Sequence, residues 1–509
     1  MKHTPAFLLT ALLLAGCQSL PPLEKRSSSR YIKAPNATRV HNVLHNGNPA
    51  QTHKADISGI YLLSDPHDAF IARATLIESA EEALDIQYYI WHNDVSGKLL
   101  MQMVEAAAKR GVRVRILLDD NNTRGMDNIL TALDEHPNIE IRVFNPFASR
   151  SMRSLGYLHD FPRLNRRMHN KTFTADNKAT ILGGRNIGDE YFNISNDVGF
   201  ADLDILATGS VVGQVSGDFD RYWASESSYP IADIAKNADL EKGRAELDYV
   251  SEEDQALRAL YQSRLQSSPL HQAMTESGIP WIYAPTKYIS DDPTKGLDRS
   301  KNKPLITEKI DEALGSPEQE IYIVSPYFVP TKQGTEALAE LSRNQVAITV
   351  FTNSLQATDV AAVHSGYARY RKKLLQAGIE LYELKAIHSV PKITDKGLVG
   401  SSSSSLHAKI FIVDRKRIFI GSFNFDPRSA RLNTEMGVVI EDPRLAELMQ
   451  QSLRQNAPRM AYKVTLGSNK RLQWQDPQDN QVSKHEPEAK LWKRLISKIF
   501  SVMPIERLL

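Results

Sequence analysis

Short runs in which apolar and polar positions follow a strand-like or a helix-like period recur in the same order twice along the chain. ALDIQYYI and VRVRILLD are dense in β-branched and aromatic residues, as expected of buried strands. Between them SGKLLMQMVEAAAKRG keeps its apolar residues at helical spacing. IEIRVFNP adds a further strand before a basic stretch. The order then repeats: EIYIVSPYFV as strand, GTEALAELSRN as helix, VAITVFTNS as strand, YARYRKKLLQAG as helix, and IELYELK as strand. Strands alternating with helices predict an α/β sheet with helical cover, here as two duplicated lobes.

The same pattern sets the boundaries. Regularity begins near Gly59, which predicts lobes over residues 56–230 and 301–465. Residues 231–300 are charged, helix-prone and then Pro-rich, as suits a connecting segment. Residues 17–55 hold no sustained apolar period and are rich in Pro, Ser, Asn and basic residues, which reads as a tether. In the tail, 466–509, Leu491, Trp492, Leu495, Ile496, Ile499 and Phe500 recur at helical spacing, with Lys490, Lys493, Arg494 and Lys498 between them. Such a helix either lies in a membrane interface or packs on the protein's own core.

Ahead of the tether, Lys2 precedes FLLTALLLAG, too short for a membrane span but suited to a signal peptide over residues 1–16. It closes on Leu14-Ala15-Gly16-Cys17, which resembles the lipobox of bacterial lipoproteins. That resemblance implies a lipidated Cys17 as the first mature residue. Gln18, rather than aspartate, then favours an outer-membrane address facing the periplasm. Cys17 is the only cysteine, so no intramolecular disulfide forms.

Composition excludes little. At 509 residues, with 41% hydrophobic and 24% charged positions, the chain is globular and long enough for two domains or one duplicated unit. A net charge of +2 gives no whole-molecule field for nucleic acid, which is not an expected partner. Arg150, Arg153, Arg163, Arg166 and Arg167 cluster in the basic stretch, either to attract anionic head groups or as a solvated loop. No cluster of metal-ligand residues stands near the motifs described next, so no metal or cofactor is expected. His159 and His364 read as surface residues.

Two strand-like runs carry chemistry. MHNKTFTAD holds His169, Lys171 and Asp176; LHAKIFIVD holds His407, Lys409 and Asp414 at identical spacing. Each is followed at the same distance by a glycine and an asparagine, Gly183 and Asn186 in GGRN, Gly421 and Asn424 in GSFN. One His-x-Lys-x-x-x-x-Asp would be weak, and a lone buried histidine is usually a satisfied core residue; two copies with matching flanks indicate a duplicated half-site. Residues two apart on a strand share a face, so each histidine projects beside its lysine. Asp176 and Asp414 fall off that face and are expected in structural roles, a turn or a buried ion pair. Two imidazoles with two ammonium groups and two amides suit phosphate-ester chemistry, which needs positioning and charge stabilisation at non-bridging oxygens. Duplicated lobes would meet around a pseudo-twofold axis with the site in the cleft between them.

On these residues the chain resembles the phospholipase D superfamily, whose signature is this doubled motif with its downstream Gly-x-x-Asn. LNRRMHNKTF, GGRNIGDEYF, FADLDILATG and the ending PIERLL further resemble its lipoprotein-type cardiolipin synthases. The resemblance implies two pseudo-twofold lobes, each a mixed β-sheet flanked by helices, with one active site at their interface. It implies that His169 attacks phosphorus to form a phosphohistidine and that His407 serves as general acid, then as base, an order taken from family precedent. Lys171, Lys409, Asn186 and Asn424 would hold the phosphate oxygens. Asp202 and Glu435 stand at the positions of the carboxylates that orient the histidines, with Asp204 not separable from Asp202. The implied reaction is transphosphatidylation onto phosphatidylglycerol, from phosphatidylglycerol or phosphatidylethanolamine, giving cardiolipin, with water as a competing acceptor. A monomer is expected. Two other classes use the same residues differently: a periplasmic nuclease, and a membrane-anchored binding or host-interaction protein with a decayed site, against which the intact motifs argue.

Overall fold

In the computed structural model the described residues are 20–24, 26–33, 38–45, 56–192, 201–386, 406–501, 503 and 506–509. The segment read as a signal peptide, Cys17 and much of the segment read as a tether lie outside them.

Among the described residues, nine strands build the first half: β1 (Ile57–Leu63), β2 (Ala83–Tyr88), β3 (Arg113–Asp119), β4 (Ile139–Phe144), β5 (Thr172–Ala175), β6 (Ala179–Gly183), β7 (Asp204–Gly209), β8 (Ser228–Pro230) and β9 (Ile282–Ser290). The second half adds β10 (Glu320–Val324), β11 (Ala347–Asn353), β12 (Glu380–Leu384), β13 (Ile410–Val413), β14 (Arg417–Gly421), β15 (Met436–Glu441), β16 (Ala461–Leu466) and β17 (Leu472–Gln475). Neighbours in the first half run β8-β4-β3-β2-β5-β6-β7-β1. In the second they run β16-β12-β11-β10-β13-β14-β15-β9, the same order. In each half the three βαβ-linked strands are parallel and the rest antiparallel, so both sheets are mixed, as expected.

β9 joins the two sheets. Its first residues pair with β1, Ile60 opposite Ile282, and its last with β15, Met436 opposite Ser290. The segment read as a connector therefore supplies a sheet strand. The alternation of side chains explains how the lobes meet. Ile181 and Leu206 face the first lobe's own helices, while Leu182, Ile205 and Ala207 point the other way, into a seam shared with Ile418, Ile420, Met436 and Val438. Phe419 and Val439, the alternate residues of β14 and β15, face the second lobe's core.

The amino-terminal segment is not a free tether along its described length. Arg39–His45 is a helix with Val40 and Leu44 buried, and the Leu44 carbonyl accepts from Trp281 Nε1 at 3.0 Å. Arg26 donates to the Ser228 carbonyl at 2.9 Å. Prolines and lysines hid these few anchoring side chains.

Under the seam, Arg73 and Asp204 form a fully buried ion pair at 2.8 Å, and Asp204 also accepts from Arg185 N. Asp204→Ala leaves that guanidinium unpaired in the core. It is expected to cost about 3–5 kcal/mol of stability, read as a lower urea midpoint.

Candidate active site

The histidines and lysines sit just ahead of their strands, not within them: β5 begins one residue after Lys171 and β13 one residue after Lys409. There the backbone bonds across the lobe boundary. His169 N donates to the Thr434 carbonyl and His407 N to the Ala201 carbonyl, both at 2.9 Å. Each motif thus runs beside the segment that carries the other lobe's acid. The pairing is crosswise. His169 Nδ1 lies 2.9 Å from Glu435 Oε2, and His407 Nδ1 lies 2.5 Å from Asp202 Oδ2. A carboxylate on Nδ1 fixes the proton there and leaves Nε2 as the basic nitrogen. Asp204, held by Arg73, is not a partner of either imidazole.

Each motif also folds its ammonium group back onto its own backbone. Lys171 Nζ donates to the His169 carbonyl at 2.6 Å, and Lys409 Nζ donates to that of His407. Both are buried. Asn186 is held on both sides, its Oδ1 accepting from Ile90 N at 3.1 Å and its Nδ2 donating to the Tyr191 hydroxyl at 2.9 Å. Asn424 is also buried, and its Oδ1 has no hydrogen-bond partner among the described residues.

Asp176 and Asp414 sit at hairpin turns between the motif strands, each followed by a second residue of positive φ. Their carboxylates accept backbone N–H groups at the entry to the neighbouring strand, Glu81 to Ala83 in one lobe and Glu318 to Glu320 in the other. Gly183 and Gly421 mark where the next strand comes too close for a side chain. An added Cβ would meet the Leu203 carbonyl at 2.5 Å and the Met436 carbonyl at 2.3 Å.

The halves differ in one way that bears on chemistry. At Gly184 an added Cβ would lie 2.0 Å from Asp202 Oδ1. The equivalent residue of the second lobe is Ser422, whose hydroxyl donates to Glu435 Oε2 at 2.5 Å. Burial pushes the Glu435 carboxyl up to about 7. Burial also opposes the Asp202 anion, but His407, Lys409 and Arg185 outweigh it and hold that carboxyl well below the usual range. A firmly ionised carboxylate therefore backs His407, and a more weakly ionised one backs His169. Burial, then Lys171 and Lys409, hold His169 well below 6.5; burial, then Lys409, brings His407 to about 4.

Burial and Lys409 lower Lys171 to about 7, and burial lowers Lys409 to about 8. Groups lowered in this way are cationic below those values and neutral above them. kcat/KM is therefore expected to fall as pH rises through about 7 to 8, measured by initial rates on the free enzyme.

Several contributors escaped the sequence. The Tyr89 ring stands edge-on to His169 at 4.9 Å, and Tyr191 edge-on to His407 at 5.5 Å. At the ends of β3 and β11, Asp119 accepts from Met168 N, and Asn353 exchanges two hydrogen bonds with Leu406. Each holds the residue before a histidine. A polar residue closing a buried apolar strand was the available signal. The arginine cluster is neither a head-group patch nor a solvated loop: Arg150 and Arg153 hold Asp120 and Asp127, and Arg167 holds Asp119. His159 is exposed, but His364 is buried rather than on the surface, and burial takes it to about 3. The fold also gathers His92, Asp94 and Glu190, their ligand atoms within 4.8 Å of one another, a grouping not visible in the sequence. Asp94 there already caps a helix through Gly97 N.

Two lobes of one topology, each lending its acid to the other's imidazole, define a histidine-centred phosphodiester site made by duplication. The chain belongs to the phospholipase D-like cardiolipin synthase family: the family described as "Cardiolipin synthase, PLD-like domain" matches residues 74–223 and 310–456. It is 48% identical to cardiolipin synthase C of Escherichia coli K12, over 89% of this chain and 96% of that protein. It is 24% identical to a cardiolipin synthase of Listeria welshimeri, over 77% and 67%. Among solved structures, phosphatidylserine synthase of Haemophilus influenzae shares the fold at a TM-score of 0.56 and 16% identity, covering 88% of this chain and 95% of that one.

Proposed function

We propose that the protein is a phospholipid phosphatidyltransferase that makes cardiolipin through a phosphohistidine. The observation that carries this reading is the crosswise pairing of His169 with Glu435 and of His407 with Asp202 around two buried lysines. The name and extent of the Escherichia coli relative supply the substrate class. His169 Nε2 attacks the donor phosphorus. The bond to the leaving alcohol breaks, and His407 gives that oxygen its proton. The acceptor's hydroxyl then attacks the phosphohistidine while His407 takes that hydroxyl's proton, and the phosphorus–Nε2 bond breaks to restore His169. Lys171, Lys409 and Asn424 hold the non-bridging oxygens, and Asn186, fixed by Ile90 and Tyr191, stands at the equivalent place in the first lobe. Phosphatidylglycerol is the acceptor, and phosphatidylglycerol or phosphatidylethanolamine the donor. A lipidated Cys17 holds the enzyme, as a monomer, to the periplasmic face of the outer membrane; among the described residues no helix is long and apolar enough to cross a membrane. The purified protein is to be incubated with phosphatidylglycerol, with and without phosphatidylethanolamine, and the products resolved by mass. Cardiolipin supports the reading. Phosphatidic acid alone makes the enzyme a hydrolase, and oligonucleotide release without lipid turnover makes it a nuclease.

A further inference from the structure

The helix Leu491–Phe500 is seated the wrong way round for a core helix. Four of its apolar residues face outward, Leu491 80% exposed and Trp492, Leu495 and Ile499 each about half exposed or more, while Ile496 and Phe500 are half-buried. The residues turned inward are Lys493 and Ser497, both buried. The Lys493 ammonium donates to the Gln356 carbonyl at 2.9 Å and so fixes the roll of the helix. A helix with its leucines in solvent and its lysine pinned underneath has an apolar face that nothing among the described residues covers.

The first lobe repeats the arrangement. In the short helix Arg153–His159 the buried residues are Arg153 and Gly156, and Arg153 donates to the Asp120 carbonyl at 2.8 Å. Met152, Leu155, Leu158 and Phe161 are exposed, Leu158 to 84%. Here too a cation is buried and the apolar side chains face out.

Both faces border the active site. Tyr157, on the first-lobe helix, donates to Asn121, and neighbouring Asn122 donates to the carbonyl of Tyr89, the ring that stands against His169. On the second lobe Asp359 accepts from the Tyr327 hydroxyl at 2.7 Å and lies within electrostatic reach of both Lys493 and Lys409. Arg428, four residues after Asn424, ties the two sides together. Its guanidinium donates to the Asn165 and Leu508 carbonyls, its backbone N–H donates to that of Leu509, and Tyr157 and Tyr89 both feel its charge.

The geometry points to a bilayer-docking rim: two outward apolar faces, one from each lobe, that seat the mouth of the active site on an anionic phospholipid surface. Charge selects the occupant. From Lys490 to Ser501 the chain carries four basic residues and no acidic one, and Lys490 and Lys498 are exposed beside the leucines. An apolar face edged with lysine matches acyl chains beneath anionic head groups. The inference deepens the phospholipid reading and relies on it for the choice of a bilayer.

The test uses residues 17–509 with Cys17→Ser, so that neither acylation nor the apolar segment before it masks docking, and vesicles of phosphatidylcholine with or without phosphatidylglycerol. Leu495→Glu with Ile499→Glu, and separately Leu158→Glu with Phe161→Glu, are each expected to weaken co-sedimentation with the mixed vesicles at least about tenfold. The four changes together should abolish it. All are solvent-facing, so unfolding midpoints and turnover of monodisperse short-chain phosphatidylglycerol stay unchanged. Vesicle binding that survives both pairs overturns the rim. So does vesicle-free self-association that the same substitutions abolish, which would make the face a contact between two copies. Loss of short-chain turnover in every form, including the parent, would count against the transferase reading while the vesicle arm still decides the rim.

Discussion

His169→Asn is expected to lower phospholipid turnover by roughly ten-thousandfold and to leave no phosphorus on the protein after acid-free denaturation. The size of the effect follows from what is removed. In the proposed mechanism, attack by His169 splits one displacement at phosphorus into two, and the two lysines and His407, which is backed by Asp202, are assigned other work. Asparagine keeps a polar side chain near Glu435 and the Ser422 hydroxyl, so the pocket is not emptied. With Lys171, Lys409 and Asn424 still in place, substrate binding should persist, and the loss should appear in kcat more than in KM. The check is labelled phosphatidylglycerol with trapping on the protein. A labelled protein band in His169→Asn would move the nucleophile elsewhere.

The residues to which the proposed chemistry is assigned were legible because duplication writes them twice. His169, Lys171, His407 and Lys409 needed only the repeat and the two-residue period of an extended chain. Their partnership with Glu435 and Asp202 was not legible as a pairing, since each carboxylate comes from the opposite lobe and only the fold brings Thr434 beside His169 and Ala201 beside His407. The strand Ile282–Ser290 was missed for a local reason. Pro285 and Lys287 interrupt its apolar pattern, and the strand divides its hydrogen bonds between β1 and β15 instead of lining one sheet face. The arginine cluster was misread because its acids, Asp119, Asp120 and Asp127, lie upstream where nothing in the pattern links them. The tail helix shows the opposite limit. Its period was plain from Leu491 to Phe500, but which side faced inward depended on one hydrogen bond from Lys493 to Gln356.

His407→Asn should fail in a different way, and the difference separates the two histidines. On natural phospholipid it is expected to lose roughly a thousandfold or more, because an alkoxide leaving group needs a proton in the transition state. On a phosphatidyl ester of p-nitrophenol no such proton is needed. The variant should release a burst of one equivalent of nitrophenolate and then stall as phosphohistidine, since nothing remains to deprotonate the acceptor. The site tolerates the change: Asp202 keeps Lys409 and Arg185 as counter-charges after His407 is gone. His169→Asn gives no burst on the same ester, because the covalent step itself is absent. The proposed assignment follows the family order, and the unequal carboxylates agree with it: Glu435 is raised to about 7 by burial, while Asp202 is held ionised beside His407. A burst in His169→Asn and none in His407→Asn would exchange the roles. Because each histidine is served by the acid of the other lobe, Asp202→Asn should then mimic His407→Asn in sparing the burst, and Glu435→Gln should slow the burst itself.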